Sequence, residues 1–189
     1  MGEPATRYAT YDEYLEAERV SREKHEFLAG HVFAMSGGTI EHGRLAMALG
    51  RELGVALLGR PCVTYSSDVR VRIRATDVST YPDVSVVCGH VEVAADDPHA
   101  IANPVLVAEV LSESAEGYDR GEKFRHYRQL DPLREYLLLS QDAPRIEVFR
   151  RLEGGDWSMR DYGPGERLLL SALGIELSVD DVYRDPLAA

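Results

Sequence analysis

The sequence predicts an α/β to α+β domain, in which one mixed sheet carries helices packed on it. Pro104 to Leu111 and Arg134 to Ser140 are almost continuous apolar runs, the pattern of central strands covered on both faces. Between Thr39 and Leu58, Ile40, Leu45, Leu49, Leu53, Ala56 and Leu57 recur near helical spacing. Segments follow in the order helix, hairpin, helix, strands, helix, strands, with no internal repeat, low-complexity block or dividing linker. The 189 residues, 44% hydrophobic and 28% charged, therefore read as one domain spanning 1–189 with a single sizeable core.

In chain order, Thr10-Tyr11-Asp12-Glu13 has the form of a capping box and starts a helix from about Tyr11 to Val20. His25 to Met35 reads as two short strands turning at Ala29-Gly30, where glycine tolerates a positive φ. The long helix ends at Gly59-Arg60-Pro61. Cys62 to Tyr65 and Asp68 to Arg74 are strands separated by a bend at Ser66-Ser67, and Ala75 to Ser79 turns into the valine-rich strand Thr80 to Cys88. His90 to Asn103 is acidic and irregular and reads as a surface excursion. Gly121 to Leu130 is helical and stops at Asp131-Pro132. Ile146 to Leu152 and Trp157 to Tyr162 flank the turn Glu153-Gly154-Gly155-Asp156. The tail from Arg167 ends in a short strand and a helical turn at Val179 to Tyr183.

Several function classes are excluded or disfavoured. No apolar run approaches the roughly 20 residues that span a bilayer, and Met1 to Ala9 lacks the basic-then-apolar plan of a leader, so a soluble, cytoplasmic protein is expected. Cys62 and Cys88 have no zinc-spaced neighbours and read as small core residues rather than a disulfide. The net charge of -11, from 32 acids against 21 bases, opposes a broad nonspecific grip on nucleic acid. Arg70, Arg72 and Arg74 alternate with Val69, Val71 and Ile73, which makes either a local basic strip or a solvated strand face.

The chemistry turns on charges inside apolar strands. Glu109 interrupts a run that should be buried, and an ionised carboxylate there costs several kcal/mol unless it is paired or binds a metal. Asp83 begins a valine-rich strand after Pro82. Two such carboxylates on adjacent strands suit a hard divalent cation. Read singly, Glu109 is equally a buried ion pair with Lys123 or an arginine, Asp83 a strand-start residue, and Lys123 an exposed helix lysine.

These residues carry a resemblance. Tyr11-Asp12-Glu13-Tyr14-Leu15, the hairpin Glu26 to Val32, Glu41-His42, Pro82-Asp83, Glu109-Val110-Leu111-Ser112-Glu113-Ser114, and Asp119 through Lys123 and Tyr127 resemble the Uma-type restriction endonucleases of the PD-(D/E)xK nuclease superfamily, from Tyr11 to about Phe149. The resemblance implies a restriction endonuclease-like fold, a central mixed sheet flanked by helices, with an added N-terminal helix and hairpin. The superfamily lysine stands two residues after the second acid, where this chain has Leu111; the resemblance implies that Lys123, on the next helix, replaces it.

By that resemblance Asp83 and Glu109 are metal ligands for Mg²⁺ (or Mn²⁺), the Val110 carbonyl completes the coordination, and Lys123 orients the attacking water. Glu26 adds an acid, with an ion pair to Lys24 or an arginine as its plainer role. His42 contacts substrate or the metal's waters, or else is an ordinary helix-face histidine. Asp119 reads as a helix N-cap and Tyr127, four residues beyond Lys123, as a side chain that pins it. The expected function is metal-dependent hydrolysis of nucleic acid, DNA foremost, by a homodimer with no membrane partner. The alternatives are a nuclease-fold binding or scaffold protein without turnover, and a metal-dependent phosphoesterase acting on a small substrate.

Overall fold

Thr10 sets the start of the first helix. Its hydroxyl accepts from the Glu13 amide at 3.2 Å while the Glu13 carboxylate accepts from the Thr10 amide at 2.9 Å, a complete capping box. The computed structural model describes residues 9–35, 37–112 and 116–187; most of the Met1-to-Ala9 stretch and Glu113-Ser114 of the quoted motif lie outside them. Helix α1 (Tyr11–Val20) leads into β1 (His25–Leu28) and β2 (His31–Ala34). Ala29 and Gly30 make the turn, with φ of 45° and 93°. Both lie in the left-handed region that a two-residue hairpin of the right twist requires. Helix α2 (Ile40–Ala56) buries the stripe Leu45, Ala48, Leu49 and Leu53.

The strands divide between two six-stranded mixed sheets rather than filling one. β3 (Cys62–Ser66), β4 (Arg70–Ile73), β5 (Val78–Thr80), β6 (Val84–Cys88), β7 (Val93–Ala94), β8 (Asp97–Ile101) and β9 (Leu106–Val110) precede the helical stretch α3 (Glu116–Tyr118), a π turn over Asp119–Lys123, and α4 (Phe124–Tyr127). Then come β10 (Glu135–Leu139), β11 (Ile146–Arg151), β12 (Trp157–Tyr162), β13 (Arg167–Leu170), β14 (Ile175–Ser178) and α5 (Val179–Tyr183). The first sheet runs β2-β1-β5-β4-β8-β7 and the second β12-β11-β10-β9-β6-β3; β13 and β14 form a separate pair.

The second sheet is covered on both faces, which is why its central strands read as unbroken apolar runs. Leu106, Ala108 and Val110 of β9 join Leu137 and Leu139 of β10 in a core closed by α2, the β13–β14 pair and α5. Val107, Leu138 and Tyr136 point the other way, into a second core shared with Val71, Ile73 and Val78 of the first sheet and Tyr127 of α4. Glu109 belongs to this second face by alternation. The α+β class is therefore as predicted, and the site forms where the two sheets meet.

Three expectations are corrected. His90 to Asn103 is not a loose excursion: β7 and β8 extend the first sheet, and Asp97, Ala100 and Ile101 are buried. Arg70 and Arg72 form neither a basic strip nor a solvated face, because that segment neutralises them. Arg70 grips Asp97 through Nε at 2.9 Å and Nη2 at 3.2 Å, and Arg72 pairs with Asp77 at 2.7 Å and Asp96 at 3.0 Å. Cys62 and Cys88 stand directly opposite each other on antiparallel β3 and β6 and form a disulfide. Opposed positions on neighbouring strands bring Cβ atoms within bonding reach, a relation that sequence spacing does not reveal. No helix among the described residues is long and apolar enough to cross a membrane.

Asp97 is only 1% exposed, and Arg70 is its counter-charge, so Arg70→Met strands a buried carboxylate. Urea denaturation is expected to show a loss of about 3–5 kcal/mol for Arg70→Met, with much of it recovered by adding Asp97→Leu. Equal stability of the single variant and wild type would contradict the pairing.

Candidate active site

The site begins at the junction of β6 and β9. These strands pair antiparallel with Val84 opposite Ala108, and the same register carried one residue further sets Asp83 opposite Glu109. Opposed residues of an antiparallel pair project on one face, so both carboxylates point toward the first sheet and the α3–α4 stretch. Asp83 is held by its surroundings: one carboxylate oxygen, Oδ2, accepts from the Val110 amide at 2.8 Å and lies 3.1 Å from His42 Nε2. Thr39 caps α2 by accepting from the His42 amide at 3.0 Å, which places the histidine in the first helical turn. Gly38 then makes room for the ring. A Cβ there would stand 2.7 Å from His42 Nδ1, so a side chain at this position displaces the imidazole.

Lys123 is the hub. Its ammonium lies 3.0 Å from Glu109 Oε1, 3.3 Å from Glu26 Oε1 and 3.9 Å from Asp119 Oδ1, and the side chain is almost fully buried. Glu26 comes from β1 of the first sheet, where the Thr80 hydroxyl also donates to it. Tyr127 donates to Glu109 Oε1 at 2.8 Å, and Tyr136 donates to the Asp119 carbonyl at 3.1 Å, fixing the π turn against β10. π turns of this kind recur at functional sites.

The charge balance is uneven: four carboxylates face one ammonium and one imidazole. Burial, opposed by Lys123 and reinforced by Asp83, Asp119 and Glu26, holds Glu109 well above the usual carboxylate range. Burial likewise pushes Asp119 up to about 6, with Lys123 opposing and Glu26 and Asp83 adding. Burial alone would lower Lys123, but Glu109, Glu26 and Asp119 outweigh it and keep it charged. His42 is raised chiefly by its hydrogen bond to Asp83. Among the described residues no three histidine, cysteine, aspartate or glutamate side chains already form a cation cage; the carboxylates converge on Lys123 instead.

All five side chains singled out from the sequence, Glu26, His42, Asp83, Glu109 and Lys123, therefore share one neighbourhood. Glu26 pairs with Lys123, while Lys24 goes to Asp68 at 2.5 Å. Leu111 is buried in the second core, so the usual lysine position is filled by packing. Two roles change. Asp119 is no N-cap but lies inside the helical stretch, buried and facing Lys123; the four-residue spacing that puts the two on one helical face was the available signal. Tyr127 binds Glu109 rather than Lys123. Thr80 and Gly38 carried no comparable signal in the sequence.

The family model Uma2, described as "Putative restriction endonuclease", matches residues 11–180. The chain belongs to this family. Two uncharacterized proteins of Synechocystis sp. are similar to this Uma2 protein. One is 38% identical over 173 residues, covering 92% of this chain and 90% of its own length; the other is 35% identical over 156 residues, covering 82% and 88%. A crystal structure of "a putative nuclease belonging to DUF820" from Anabaena variabilis superposes with a TM-score of 0.71, covering 93% of this chain and 97% of that one. At 18% identity this likeness establishes the shared fold.

The raised Asp119 makes a signed prediction. Below about pH 4 the carboxyl is protonated folded or unfolded and costs nothing; as pH rises through its folded value near 6, the ionised form is trapped in a buried, acidic setting and folding stability falls. Asp119→Asn is therefore expected to raise stability by on the order of 2 kcal/mol at pH 7.5 in chelator and to change little at pH 4. Thermal melts at the two pH values check it; the same difference at both would contradict the account.

Proposed function

We propose that this Uma2 protein is a metal-dependent endonuclease that hydrolyses phosphodiester bonds of nucleic acid, with DNA as the substrate and Mg²⁺ or Mn²⁺ as the cofactor. The observation that supports it most is the surplus of buried carboxylate around Lys123. Glu109 and Asp119 are held partly against ionisation because one ammonium does not balance Glu26, Asp83, Glu109 and Asp119. Hard oxygen donors with unmet negative charge fit a small divalent cation, which accepts one or two carboxylates and keeps much of its water. Asp83 and Glu109 would hold the ion with the Val110 carbonyl, and the ion would supply charge neutralisation at phosphate and an acidified water.

The chain's own groups divide the remaining work. Tyr127 and Lys123 fix the Glu109 carboxylate through one oxygen. The Val110 amide and His42 fix Asp83. Lys123, kept protonated by its acidic neighbours, orients the attacking water and stabilises negative charge developing on the phosphoryl oxygens. Glu26 holds the ammonium on its second side. His42, with its side chain 23% exposed, brings positive charge to the mouth of the site where the substrate phosphate approaches. Two copies in a two-fold dimer would suit cuts in two strands.

A binding protein without turnover is the competing reading, favoured by the central place of Lys123 among the carboxylates and by the net charge of -11. The same charge would trouble a phosphoesterase acting on a small ester less than one acting on a polymer.

Incubation with supercoiled plasmid or single-stranded DNA in Mg²⁺ or Mn²⁺ separates these readings. Cleavage is expected from wild type, with losses on the order of a hundredfold or more in Asp83→Ala and in Lys123→Ala. Cleavage surviving both substitutions rules out this site, and bound metal without cleavage of any nucleic acid rules out the nuclease.

A further inference from the structure

Lys123 points into the acidic cluster, but the next residue turns to a different environment. Phe124 stacks on Tyr136 at 5.4 Å with rings 9° from parallel, lies 4.8 Å from Phe149, and meets Trp157 edge-on at 5.2 Å. With Arg128, Gln129 and Arg151, the rings of Phe124, Phe149 and Trp157 line an open cavity of about 490 Å³ between α4 and the β11–β12 edge of the second sheet. That volume is in the range of small-ligand sites.

The charge of this cavity is opposite to that of the acidic cluster. Arg44, Arg70, Arg72, Arg120 and Arg150 all have carboxylate partners, whereas Arg128 and Arg151 have none among the described residues. Arg151 lies over the Trp157 ring at 5.0 Å and donates only to the carbonyls of Arg128 and Leu130, and its buried Nε has no partner. Burial and then Arg134 push Arg151 below the usual arginine value, with Asp131 opposing them only in part, so an anion at the guanidinium would be favourable. Asp156 is the one acid among the lining residues. Trp157 is half-buried and Arg128 and Gln129 are exposed, which leaves aromatic, amide and guanidinium groups open to solvent together.

We infer that this cavity is a nucleotide-binding pocket, in which a nucleobase stacks on the Phe124–Trp157 wall and its phosphate is taken by Arg128 and Arg151. Flat aromatic walls bind any base through its π face, guanidinium groups bind phosphate, and an exposed amide can meet a base edge. The nucleotide can be free or part of a strand. The strand-bound form rests on the nuclease reading, in which Lys123 of the acidic cluster directly precedes Phe124 of the pocket in the chain.

Trp157 is the only tryptophan of the chain, which makes its emission a reporter of this pocket alone. Titration of the full chain in EDTA, so that nothing is cut, with adenosine monophosphate and separately with a short oligodeoxyadenylate is expected to give saturable quenching. Arg128→Ala, a substitution at an exposed position, is expected to weaken it about tenfold or more. Tighter binding of the oligomer assigns the pocket to a strand, and tighter binding of the monophosphate assigns it to a free nucleotide. No saturable change with either ligand to millimolar concentration, or a change that Arg128→Ala leaves as it was, overturns the pocket. Quenching without metal-dependent cleavage removes the nuclease reading alone and leaves the pocket, with the tighter ligand naming its occupant; cleavage without quenching removes the pocket alone.

Discussion

The pair of Lys123 and Glu109 is the contact on which the candidate site depends. Both side chains are buried, and Lys123 is the cation that Glu109 meets, while Lys123 itself is shared with Glu26 and Asp119. A lone carboxylate in the middle of β9 would take up a proton or force the strand to the surface, and a lone ammonium between the two sheets would give up its proton. Yet the pair is not self-sufficient. Glu26 and Asp119 crowd the same ammonium and Asp83 bears on Glu109, so the cluster carries more negative charge than Lys123 alone neutralises. Replacing such a group by apolar side chains is often neutral or stabilising, so the cluster is a weak source of stability and fits a functional role better than a structural one.

The fold delivers these groups from distant parts of the chain. The hairpin of β1 and β2 places Glu26, the β6–β9 pairing sets Asp83 beside Glu109, and the π turn between α3 and α4 brings Asp119 and Lys123 down together. Helix α2 contributes His42 only because Thr39 caps it and Gly38 leaves space for the ring. Each group is then tied by a second bond: Tyr127 to Glu109, Thr80 to Glu26, and the Val110 amide to Asp83. Under the proposed nuclease reading a site built this way is preorganised, since little rearrangement of the protein would be needed when charge develops in a substrate.

What the sequence made legible divides along the range of the interactions. Glu109 announced itself, because one charge in an apolar run needs a partner whatever the fold. The capping box at Thr10 and the buried stripe of α2 are local patterns and hold as read. Lys123 became a candidate through family resemblance, since spacing alone leaves it an ordinary helix lysine. Asp119 was misassigned because a local rule, the N-cap, was applied where a long-range contact decides. The remaining surprises are all non-local. Arg70 and Arg72 meet acids 24 to 27 residues away. Cys62 meets Cys88 across a strand pair at a separation of 26. The division into two sheets turns on which strands find each other, and periodicity is silent on that.

The central claim is that the cluster around Lys123 is short of positive charge and takes a divalent cation to supply it. Calorimetric titration of Mn²⁺ or Mg²⁺ into wild type and Glu109→Gln, near pH 6 in buffers of different ionisation enthalpy, tests this directly. One saturable site in wild type, with protons released on binding as the raised carboxyls ionise, and its loss in the Gln variant is the predicted result. No saturable binding in wild type, or binding that Glu109→Gln leaves unchanged, would contradict it.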